Sequence, residues 1–149
     1  MRFDGKVAVV TGGASGIGRA ASEILAARGA SVSVLDVSHD AGKETLDSIR
    51  SQDGKAAFFS VDVSQPQELQ KAVDETRKTF GPIDILVVSA GIQRYGNALT
   101  TDDDQWTEVM GVNLNGARYA AKFCLPDMLG RGGSIVNVAS VQSLASQFN

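Results

Sequence analysis

Short apolar runs rich in β-branched residues alternate along this chain with longer stretches whose apolar positions recur every three or four residues. That alternation predicts parallel βαβ units. A strand is expected over 6–10 (KVAVV), apolar enough to lie in a sheet covered on both faces. Helical spacing over 16–28 puts Ile17, Ala20, Ala21, Ile24 and Leu25 on one inward face, with Gly29 as the stop. Further strands are expected over 31–35 and 55–61, with a helix over 38–51 between them that turns Ala41, Thr45, Leu46 and Ile49 inward. Ser64 and Gln67 have capping-box spacing, and Pro66 suits the first turn of a helix running to about residue 80. A buried strand over 84–88 (DILVV) leads into a loop through 97. A long helix follows, capped by Thr101 or Asp102 and continuing toward 129, and then a fifth strand over 134–138 (SIVNV).

The 149 residues match the size of one domain and contain no internal repeat or linker, so residues 1–149 are expected to form a single α/β unit of five strands. Right-handed crossovers make it a doubly wound sheet, with ligands at the carboxyl ends of its strands. Composition narrows the chemistry. A formal charge of −3 offers no footprint for nucleic acid. No apolar run reaches the ~20 residues of a membrane span, and the first residues lack a signal-peptide core, so a cytoplasmic protein is expected. Cys124 is the only cysteine and His39 the only histidine, which leaves no metal-ligand cluster and no histidine triad. Asp102, Asp103 and Asp104 are expected to complement a helix dipole. Trp106, Tyr119 and Cys124 are expected in the core or a subunit interface, and His39 on a solvated loop.

Glycine carries the functional signal. The turn after the first strand reads Thr11-Gly12-Gly13-Ala14-Ser15-Gly16-Ile17-Gly18, with four glycines in seven residues at the start of a helix. Gly12 permits the tight turn, Gly16 lets a phosphate approach the backbone and Gly18 allows close helix packing, while the helix N-terminus offers unbonded N–H groups to an anion. Asp36 ends the second strand about 24 residues after Gly12, close to the ~20 expected of an acid that accepts hydrogen bonds from an adenosine ribose.

With these landmarks the chain resembles the short-chain dehydrogenase/reductase family, whose cofactor loop T-G-x-x-x-G-I-G is matched from Thr11 to Gly18. Asp62-Val63, Ser89-Ala90-Gly91, Asn113 in V-N-L-N-G and Ser140 in N-V-A-S fall in the family's order over essentially the whole chain. The resemblance implies a Rossmann-type fold and NAD-dependent hydride transfer between nicotinamide and a secondary alcohol or ketone. It implies a cofactor held by Gly12, Ser15, Gly16, Ile17, Gly18, Asp36, Asp62, Val63, Ala90 and Gly91. Asp62 would accept from the adenine amino group, assisted by the Val63 backbone; Ala90 and Gly91 would pass close to the adenosine. Ser140 would donate to the substrate carbonyl, and Asn113 would hold a water of the proton relay. NAD is favoured over NADP because the Asp36 carboxylate would repel a 2′-phosphate and neither Ser15 nor Val37 is basic. Ser89 stands where the family usually has asparagine, and a hydroxyl replaces one hydrogen bond of that amide but not all. Arg94 and Gln142 could line a substrate pocket.

The family's Tyr-x-x-x-Lys acid/base pair follows its serine by about a dozen residues, and the nine residues after Ser140 contain neither Tyr nor Lys. The chain is therefore expected to be the cofactor-binding part of a longer oxidoreductase, inactive alone, with the C-terminal part of the family fold absent. Relatives pair through the helix spanning 106–129, which implies a homo-oligomer, dimer or tetramer. Two other readings stay open: an NAD-binding module without turnover, and an adenosylmethionine-dependent methyltransferase, against which the full motif string argues.

Overall fold

Val7, Ala8, Val9, Val10 and Thr11 are all buried, which a strand achieves only with apolar cover on both faces. The computed structural model describes residues 2–140 and places this strand, β1 (Val7–Thr11), at the centre of one parallel sheet ordered β3-β2-β1-β4-β5. Its neighbours are β2 (Ser31–Asp36), with β3 (Lys55–Ser60) beyond it, and β4 (Ile85–Val88), with β5 (Ser134–Asn137) beyond that. The period-two alternation divides the core into two layers. Ala8 and Val10 pack with Leu25 and Ala26 of α1 (Gly16–Ala27) and Ile49 of α2 (His39–Arg50). Val7 and Val9 pack on the opposite face with Leu69, Ala72 and Val73 of α3 (Pro66–Phe80) and with Ala120, Cys124 and Met128 of α5 (Ala117–Met128).

The long helix predicted from residue 101 or 102 is interrupted. It begins as α4 (Asp103–Met110), capped by the Asp102 carboxylate, which accepts from the Gln105 N–H at 2.7 Å. A π-helical turn, Gly111–Gly116, then joins it to α5. The predicted face of α1 is also corrected. Gly18, Ser22, Leu25 and Ala26 face the sheet, whereas Ile17 and Ile24 are 64% and 53% exposed and Ala20 is exposed. The reason is volume: small residues at 18 and 22 let the helix sit close to the turn before it, and Ser22 Oγ satisfies its burial by donating to the Gly18 and Gly13 carbonyls. The Ser64–Gln67 capping box does not form, because Ser64 Oγ donates to Asp62 Oδ1 and Gln65 occupies the cap position. Trp106 is 62% exposed, so it is not a core residue of this chain. Cys124 is fully buried, and burial pushes its thiol up to about 12, which makes it a packing group and no nucleophile.

At the opposite end of the sheet from the glycine turn, Asp84, just before β4, ties the start of β1 to the turn that precedes β5. Its buried carboxylate accepts from the Val7 N–H and from Lys6 Nζ, both at 3.0 Å, and from the Arg131 guanidinium at 3.1 Å. Burial pushes its carboxyl upward, but the Val7 N–H and the Lys6 and Arg131 cations outweigh that and hold it below the usual carboxylate range. A carboxyl with a depressed folded pKa contributes stability that is fully present above its unfolded value, ~3.9, and is lost as pH falls through the folded value. Thermal midpoints measured from neutral pH downward are therefore expected to fall below about pH 4 in the unsubstituted protein. Asp84→Asn is expected to lower the midpoint at neutral pH and flatten that acid limb; an unchanged limb would remove Asp84 from the account.

Candidate nucleotide-binding site

The sheet's strand order reverses direction between β1 and β4, and in doubly wound folds that point opens a crevice at the carboxyl ends of the strands. An open cleft of about 460 Å³ lies there. Its lining includes Gly12, Ser15, Gly16, Ile17, Asp36, Asp62, Val63, Ala90 and Gly91, so nine of the ten residues expected to hold a cofactor are brought together. The tenth, Gly18, lies behind the turn, where an added Cβ would collide with the Gly12 carbonyl. Its contribution is to let α1 start close against the turn.

Gly12 has φ +63°, and a Cβ there would sit 2.7 Å from the Ala90 backbone. Thr11 keeps that segment close, its Oγ1 accepting from the Ser89 and Ala90 N–H groups at 3.2 and 3.3 Å. Around Gly16 the space is open, with no atom within 4 Å of an added Cβ. The backbone at Gly16 is therefore open to approach from the cleft.

Asp36 is tied down twice. Oδ2 accepts from the Ala14 N–H at 3.1 Å and Oδ1 from the Ser38 N–H at 3.0 Å. Ser38, at the N-cap of α2, makes no side-chain cap bond. An ionised carboxylate offers about four lone-pair sites, so two bonds leave acceptor capacity for a ribose diol. Asp62 Oδ1 is engaged by the Ser64 N–H and hydroxyl, and the Asp62 N–H donates to Glu68. Among the described residues lining the cleft, two are acidic and none is Lys or Arg.

Asn113 lies in the π-helical turn and faces the loop after β4. Its Oδ1 accepts from the Ile92 N–H and its Nδ2 donates to the Ile92 carbonyl, both at 2.9 Å, so one side chain pairs with both backbone groups of Ile92, which lines the cleft. Arg94, considered for a substrate pocket, forms a two-pronged ion pair with Glu108 of α4 at 2.6 and 2.9 Å. Ser140 follows β5 on the carboxyl edge of the sheet, two residues beyond Val138, which lines the cleft. Gln142 lies outside the described residues. The sequence reading passed over Thr11, Ile92 and Val112; Thr11 stood inside the motif, but only a pairing across the sheet reveals its two acceptor contacts.

A family model described as short chain dehydrogenase matches residues 6–149. The chain belongs to the short-chain dehydrogenase family. It is 43% identical over 145 residues to an uncharacterised oxidoreductase of Thermotoga maritima, an alignment covering 97% of this chain and 57% of that protein. Over 99% of the chain and 58% of the relative it is 37% identical to meso-2,3-butanediol dehydrogenase of Serratia marcescens. Carveol dehydrogenase from Mycobacterium avium, solved in complex with NAD, superposes with a TM-score of 0.93 at 31% identity, over 98% of this chain and 58% of that one. The chain thus spans a little under three fifths of the length of these relatives.

Proposed function

We propose that the whole protein is an NAD-dependent oxidoreductase acting on a secondary alcohol or its ketone, and that residues 1–149 form its nucleotide-binding domain. The observation that carries this reading is the Asp36 carboxylate, held by the Ala14 and Ser38 N–H groups at a cleft whose described lining residues include no Lys or Arg. A ribose diol finds an acceptor there, whereas a 2′-phosphate would meet a like charge with nothing to compensate it. The open space beside Gly16 suits a pyrophosphate, to which the N-terminus of α1, without a side-chain cap bond, would offer its N–H groups. Ala90 and Gly91 leave room for the adenosine, and Asp62 accepts from the adenine amino group.

When bound, the dinucleotide supplies the hydride chemistry. The chain's own residues bind, orient and polarise. Ser140 donates a hydrogen bond to the substrate oxygen, and Asn113 holds the Ile92 segment and supports a proton relay through water. The exposed apolar side chains of Trp106, Leu114 and Leu125 along the α4–α5 helix support assembly into a homo-oligomer. Among the described residues no helix is long and apolar enough to cross a membrane.

Calorimetric titration with NAD, NADP and adenosylmethionine is expected to give binding by NAD, weaker binding by NADP and none by adenosylmethionine. Adding secondary alcohols to the NAD complex of the whole protein is expected to raise the reduced-nicotinamide absorbance. NAD binding with no alcohol-dependent reduction by the whole protein would instead identify a nucleotide-binding module without turnover. Preferential binding of adenosylmethionine would overturn the reading altogether.

A further inference from the structure

The glycine turn is braced from behind by buried hydroxyls that no cofactor contact explains. Thr45, in the middle of α2, is fully buried. Its hydroxyl donates to the Ala41 carbonyl one helical turn back at 2.9 Å and shares that proton with the Ala14 carbonyl at 3.3 Å. The first contact is what any helical threonine makes. The second reaches 31 positions along the chain into the turn. Ala14 is itself 2% exposed, so its carbonyl has little recourse to water. The peptide before it is held on both edges, the Gly13 carbonyl accepting from Ser22 Oγ and the Ala14 N–H donating to Asp36 Oδ2. Together these bonds set two successive peptide planes of the turn.

A trans peptide is rigid, with its C=O and N–H antiparallel. A carbonyl of Ala14 aimed at Thr45 therefore aims the Ser15 N–H away from α2, and Ser15 and Gly16 are the next backbone of the cleft wall. Without the hydroxyl, the Ala14 carbonyl would be buried with no donor among the described residues. The Ala14–Ser15 plane would then rotate toward water, carrying the cleft backbone with it.

We infer that Thr45 is a positioning residue of the nucleotide site: from outside the cleft, its hydroxyl fixes the orientation of the peptide that presents the turn to the phosphate groups of a bound dinucleotide. The inference rests on the cleft being a dinucleotide site. Thr45→Val, which keeps the shape and removes the donor, is expected to weaken NAD binding about five- to tenfold, the scale of one buried hydrogen bond. Adenosine, which carries no phosphate, is expected to compete as well as before. Thr45→Ser keeps the hydroxyl and is expected to recover NAD affinity to within about twofold. A folded Thr45→Val protein with unchanged NAD affinity would overturn the inference and leave the cofactor reading standing, as would proportional loss of NAD and adenosine, the mark of a packing defect. If the valine variant fails to fold, Thr45→Cys, a weak donor of similar size, must fall between Ser and the loss of binding, and full affinity there would count against the inference. Absence of NAD binding by the unsubstituted protein would remove the cofactor reading and this inference together.

Discussion

Asp36→Ala is expected to weaken NAD binding roughly 10- to 100-fold, the scale of losing one hydrogen bond from a ribose hydroxyl to a carboxylate, about 1.5–3 kcal/mol where 1.4 kcal/mol is a factor of ten. The preference for NAD over NADP should collapse in the same variant, because the charge that repels a 2′-phosphate is gone. NADP should not reach the affinity NAD had before. Asp36 Oδ2 is also the acceptor for the Ala14 N–H, so the substitution loosens the phosphate turn as well as clearing the ribose site. Parallel titrations of NAD and NADP check both halves. A variant that keeps the original preference would show that Asp36 serves only the turn and α2.

The second large effect is expected at Gly12. Gly12→Val combines a left-handed φ of +63°, which costs a β-branched residue about 1–2 kcal/mol, with a Cβ 2.7 Å from the Ala90 N and Cα and 2.9 Å from the Ser89 carbonyl carbon. The loop after β4 must move for the side chain to fit, and that loop is anchored to Thr11 and forms the cleft wall. A total loss of roughly 2–4 kcal/mol should lower the thermal midpoint by about 10 °C in a domain of this size. NAD binding should become undetectable by calorimetry. A midpoint within a degree or two of the unsubstituted protein would mean that the Ala90 segment yields freely.

Much of this was legible in the chain because it is local. Apolar continuity places β1 within one residue of its observed bounds, and the glycine spacing points to Gly12 and Gly16, which line the cleft. What could not be read depends on volume and distance. Summed apolarity put Ile17 and Ile24 inward, but what α1 buries is set by how closely it approaches the sheet, so small Gly18 and hydrogen-bonded Ser22 lie beneath it. Asn113 was singled out only through the family frame, and its two bonds to Ile92 span 21 positions with no periodicity to announce them. At Asp36 the spacing predicts an acceptor for a ribose but not the bonds to Ser38 and to the turn, which leave capacity for a diol.

The π-helical turn between α4 and α5 divides one continuous helix into two with separate obligations. Each residue inserted into an α-helix rotates everything beyond it by about 100°. α5 is committed to the sheet through Ala120, Cys124 and Met128, while α4 buries none of its residues. Sequence drift in α4 and in the loop it carries is therefore decoupled from the core. What α4 presents, and the segment after β4 that it holds through the Arg94–Glu108 ion pair, can change without repacking the sheet.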